Sequence, residues 1–178
     1  MSIILDTWHC KGRMDIELLK MEEQKKSKDI LVVGVGNILM GDEGIGIHVI
    51  KELEKLNLPE DVEIMDIGVS SFSLISYLSD RKKVIIIDAV KSGGKAGTIY
   101  RFSIENIEIE TGRYLSLHQI GIGDILSLLH HNLISGEVII IGVEPGEIRW
   151  GMELSPCLKE KIPQILTLVL KEISPEER

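Results

Sequence analysis

Three polar positions stand out against apolar surroundings: Glu43 in ILVVGVGNILMGDEGIG, Asp88 in KVIIIDAV and His118 in LSLHQIG. A carboxylate directly after three isoleucines loses water unless something at the strand end satisfies it, so Asp88 holds a site-like position. Its structural alternative is to accept loop N–H groups from Ser92–Gly94. A lone histidine is usually structural, and only the combination raises His118 above that. Two carboxylates and one imidazole make a mixed oxygen and nitrogen donor set. Such a set suits a borderline divalent metal such as nickel or zinc, with positions left open for an incoming ligand. Asp42 has two readings beside Glu43, as a helix N-cap or as a weaker catalytic partner that orients its neighbour. The positive end of a helix also favours Glu43 on purely structural grounds.

These residues need a scaffold that brings them to one edge. Strands are expected at Ile30–Val35, Val62–Ile67, Lys83–Asp88, Thr98–Phe102 and Glu137–Val143, and helices at Gly44–Leu56, Ser71–Ser79, Ile120–His131 and Pro156–Ile173. β-Branched, near-continuous apolar runs suit strands covered on both faces. Alternation with helices predicts an α/β fold, a three-layer α/β/α sandwich around a mostly parallel twisted sheet of about five strands. Glu43, Asp88 and His118 each follow a strand or precede a helix on what this topology makes one edge, where open α/β sheets bind ligands. Residues 1–28 lie outside the pattern as an N-terminal extension, helical around Asp15–Lys26, and residues 29–178 form one domain. The charged tail Ser174–Arg178 is expected to fray.

Composition removes several classes of function. A formal net charge of −8 argues against a broad nucleic-acid surface, which needs clustered Lys and Arg. No apolar run approaches the roughly 18 residues of a membrane span, so no membrane insertion is expected. Cys10 and Cys157 form neither a disulfide framework nor a CxxC metal site, and the first residues lack the pattern of a secretory signal; both point to the cytoplasm. There is no GxSxG elbow and no HExxH motif, and Cys157 has no base near it in sequence, so any peptidase chemistry is of a non-standard kind.

The rival for the opening motif is a dinucleotide loop. Gly34 and Gly36 supply two of its glycines, but Leu39 stands where the third belongs. Asp66 could mimic the ribose-binding acid, whereas Asp42 and Glu43 would set two negative charges beside a pyrophosphate. No Walker loop occurs.

VGVGNILMGDEGIG, IIIDAV followed by GGKAGTI, LSLHQIG, and IGVEPGEIRWGMELSP together resemble the hydrogenase maturation protease family, in register from about Ile30 to Ile173. These are nickel-dependent endopeptidases that process NiFe-hydrogenase large subunits. The resemblance implies an α/β fold with a central twisted sheet and metal-site residues at Glu43, Asp88 and His118, the positions already reached from the residues. It further implies removal of a short C-terminal peptide from the nickel-loaded large-subunit precursor, with nickel presented by the substrate and no nucleotide. A monomer is the expected state. The GVEPGEIRWGMELSP segment would line the substrate cleft; otherwise it is simply the turn into the last helix. The alternative is a non-hydrolytic nucleotide-binding or nickel-binding regulatory module.

Overall fold

The computed structural model describes residues 28–69, 77–78, 80–103, 116–117 and 136–174. The N-terminal extension up to residue 27, the expected helix Ile120–His131 and the tail past Ser174 lie outside the described residues. So does the expected helix Ser71–Ser79, apart from helical Tyr77 and Leu78.

The described residues form six strands: β1 (Ile30–Val35), β2 (Val62–Gly68), β3 (Lys83–Lys91), β4 (Ile99–Ser103), β5 (Ser116–Leu117) and β6 (Glu137–Val143). The main sheet runs β2-β1-β3-β6-β4, and β5 pairs with the far end of β3. The pairings of β1, β2, β3 and β6 are parallel, while β4 lies antiparallel on β6. A short 3-10 turn, Gly41–Gly44, leads into helix α1 (Ile45–Leu53), and α2 (Pro156–Lys159) and α3 (Ile162–Ile173) close the chain.

Alternation along each strand explains why the central strands read as unbroken apolar runs. Val32, Ile85, Ile87, Ile139 and Ile141 pack on one face with Ile50 of α1 and Ile165 and Val169 of α3. Leu31, Val33, Val84, Ile86, Val138 and Ile140 turn to the other face, where Leu78 joins them. Each such aliphatic side chain contributes roughly 1.5–3 kcal/mol when fully buried. An exposed ion pair such as Lys82–Asp29 is screened by solvent and adds little beside this, so the sheet and its helices dominate stability. No described helix is long and apolar enough to cross a membrane.

The strand order fixes where a site can form. From β1 the chain goes to β2 on one side, while β3 lies on the other, so the direction of winding reverses between β1 and β3. Helices and loops leave a crevice beyond the carboxyl ends of two strands at such a reversal. The β1 ladder on β3 ends at Gly34↔Ile87, which leaves Asp88 as the first residue of β3 past it.

Helix α1 lies directly on these two strands because glycines remove the intervening side chains. A Cβ at Gly46 would stand 2.3 Å from the Ile87 carbonyl oxygen and 2.4 Å from that of Val35. One at Gly34 would stand 2.5 Å from the Gly46 carbonyl oxygen. Gly46→Ala is therefore expected to destabilise the protein by about 2–3 kcal/mol despite the higher helix propensity of alanine. A lowered urea midpoint at unchanged slope would show it; an unchanged midpoint would refute the close approach.

Besides shifts of one residue in β2 and β4, three expected element boundaries differ from the structure. The first helix begins as the 3-10 turn and ends at Leu53 rather than Leu56. The last helix is two helices, because Pro163 has no N–H to continue the ladder from α2 into α3. Strand β3 runs three residues past Asp88, since β6 pairs with it to Ala89 and β5 pairs with Val90 and Lys91.

Candidate active site

Beyond β1 the chain folds tightly back on itself. Gly36 has φ +136°, and a Cβ there would stand 2.0 Å from the Glu43 carbonyl oxygen, so the 3-10 turn sits on the glycine itself. That turn packs against β3 and places the half-buried Glu43 near Asp88. The winding reversal thus brings together two of the three residues expected to form the site.

Asp88 is only 4% exposed. Burial pushes its carboxyl up to about 7; the Ala89 N–H, 2.7 Å from Oδ1, opposes the shift, and the nearby Glu43 charge adds to it. A carboxyl half protonated near neutral pH can exchange a proton or, in its ionised form, receive a cation. His118 lies outside the described residues. Strand β5 ends one residue before it, with Ser116 paired to Lys91 and Leu117 to Val90, so that strand runs toward the Asp88 end of β3. Among the described residues no group of three His, Cys, Asp or Glu side chains is placed to hold a metal ion. Glu43 and Asp88 are hard oxygen donors that fit two positions of a divalent site.

Asp42 does not cap the helix. The residue before the 3-10 turn is Met40, with no side-chain cap bond, and Asp42 lies inside the turn, fully buried. Its Oδ2 accepts the N–H groups of Gly146 (2.9 Å) and Glu147 (2.7 Å), and its Oδ1 accepts that of Ser155 (2.7 Å). The carboxylate therefore ties the segment after β6 to the turn that carries Glu43. Two adjacent acids serve separate ends, one holding the scaffold and one facing the crevice.

The Ser92–Gly94 amides are not bound by Asp88 either. Ser92 and Gly93 donate to Glu144, at 2.9 and 3.2 Å, and the Tyr100 hydroxyl donates to the same carboxylate at 3.0 Å. Burial alone would raise the Glu144 carboxyl, but these donors together with the Gly94 N–H outweigh it and hold the group below its usual range. Glu144 was overlooked in the sequence, although it carries the signal that singled out Asp88: an acid ending a buried run, here IIIGVE. Cys157, exposed at the start of α2, donates to the Ala96 carbonyl, and His48 Nε2 meets the Met152 carbonyl at 3.1 Å.

Comparison with known proteins fits this geometry. The family model described as hydrogenase maturation protease matches residues 47–172. The chain belongs to this family. It is 33% identical over 150 residues to a putative hydrogenase maturation protease of Methanocaldococcus jannaschii, covering 83% of this chain and 96% of the relative. It is 35% identical over 147 residues to the hydrogenase 2 maturation protease of Escherichia coli, covering 79% of this chain and 88% of that protein. The solved structure of the hydrogenase maturating endopeptidase HybD from E. coli superposes with a TM-score of 0.68 at 32% identity, over 80% of this chain and 90% of that one. As a hydrogenase maturation protease the chain is a peptidase.

Proposed function

We propose that this maturation protease removes a C-terminal peptide from the nickel-loaded large-subunit precursor of a NiFe hydrogenase, engaging substrate-borne nickel through Glu43, Asp88 and His118. The observation that carries the reading is the meeting of Glu43 and buried Asp88 at the winding reversal between β1 and β3. Alone, Asp88 is half protonated near neutral pH, chiefly because it is buried and in smaller part because the Glu43 carboxylate lies nearby. A cation delivered by the substrate offsets that repulsion, so the site favours precursor that already carries metal. Nickel held there by the substrate would supply Lewis-acid character to the cleavage. Glu43 and Asp88 would hold it through their carboxylate oxygens, and His118 would complete the donor set. A monomer suffices for the reaction.

Weighing the products after incubation with nickel-loaded and nickel-free precursor tests the reading. Trimming of the loaded precursor alone is expected, with loss of detectable product for Glu43→Gln and His118→Ala. Normal trimming by both variants would sink the assignment. Nickel-dependent thermal stabilisation with no trimming would favour a nickel-binding regulator instead. Against a nucleotide-binding module stands Gly36: the space next to it, which a phosphate would need, holds the Glu43 carbonyl.

A further inference from the structure

The segment from Glu144 to Ser155 is an exposed strap held with unusual firmness. Asp42 accepts three of its N–H groups, the Asp42 N–H donates to Glu147, and Gly151 exchanges two backbone bonds with Leu39 and Gly41 at 2.9 and 2.8 Å. His48 adds a seventh bond, to Met152. Yet the strap and the loop paired with it leave large apolar side chains in water: Trp150 is 80% exposed, Met152 55% and Leu39 48%. The bridge Met40↔Gly151 sets these three residues around one point. Single exposed apolar residues are ordinary, but three gathered on a hydrogen-bonded rim mark an interaction surface.

We propose that Leu39, Trp150 and Met152 form the docking surface for an apolar segment of the large-subunit precursor, with Trp150 as its anchor. This rests on the protease reading above. The occupant follows from continuity: the strap shares its bonds with Gly41 and Asp42, so a polypeptide that reaches Glu43 passes against it. The charges beside the patch are spent on one another, Arg149 with Glu147 at 2.8 Å and Lys159 with Glu153, so the rim offers apolar area and not a net charge. Because the strap is fixed beforehand, little ordering entropy is lost when Trp150 is covered. An aromatic anchor of this kind carries a large share of binding.

Steady-state trimming of nickel-loaded precursor by the full chain and by Trp150→Ala tests the proposal. KM is expected to rise roughly tenfold or more while kcat changes less than about twofold, with most of the loss recovered in Trp150→Phe. Equal KM values for wild type and Trp150→Ala would overturn it. Binding is read separately from Trp150 emission in a Trp8→Phe background, which leaves one tryptophan. A blue shift on adding precursor without any trimming would keep the docking surface and refute the protease reading. Trimming without a shift would refute the docking surface alone, and neither shift nor trimming would refute both. Wild-type dimers in sedimentation velocity that Trp150→Ala abolishes, with KM unchanged, would assign the patch to a second copy of this chain and overturn the proposal.

Discussion

Asp88→Asn is expected to abolish trimming and at the same time to make the metal-free protein more stable. The folded chain holds the Asp88 carboxyl at about 7, against 3.8 ordinarily, because burial and the facing Glu43 penalise its charge. A carboxyl with a raised folded value binds its proton more tightly folded than unfolded. Its destabilising effect is therefore absent below pH 3.8, grows through the interval and is complete above pH 7. At its limit this is on the order of 4 kcal/mol. Asparagine keeps the shape and carries no charge at any pH. The variant should thus melt higher than wild type by roughly 5–10 °C at pH 8 in the presence of chelator, and the gap should shrink markedly by pH 5. A pH-independent gap, or a less stable variant at pH 8, would show that Asp88 is not strained by its surroundings. Stability gained where activity is lost is the usual mark of a functional group held against its own preference.

Asp42→Asn is expected to do the opposite, destabilising the protein by about 2–3 kcal/mol. The two carboxylate oxygens accept N–H groups from Gly146, Glu147 and Ser155. An amide offers one oxygen, so in either orientation its NH2 confronts at least one N–H donor, in a place with no water to relieve the clash. Urea denaturation of Asp42→Asn and Asp42→Ala, followed against the wild type, measures the loss; a change below about 1 kcal/mol would mean that the strap is held by other means. Trimming should fall as well, because the same carboxylate sets the strap against the Glu43 turn.

The limits of β1 and β6 were legible because both are unbroken apolar runs ended by glycine or a charge, and burial on both faces leaves no other reading of them. The edge strands and β3 shifted by one to three residues, since partners decide where such strands stop: Val90 and Lys91 stay extended through pairing with β5, some 26 residues away. Glu43 and Asp88 could be chosen by their position at strand ends. The role of Asp42 could not, because its donors lie 104, 105 and 113 residues further on and are backbone groups that no side-chain pattern announces. The break before α3 was open to view in Pro163 but was overridden by the apolar periodicity running through it.

The contact of Gly46 with Ile87 and Val35 also sets a mechanical tolerance. Between the segment that bears Glu43 and the strand that bears Asp88 there is backbone against backbone, with no layer of side chains whose rotamers could compress or swing. The gap between the two carboxylates is consequently gauged by hard atomic radii. Substitutions elsewhere in the core can soften or stiffen the protein considerably before that gap changes, so the place where Glu43 meets Asp88 is insulated from drift in the part that merely keeps the molecule folded.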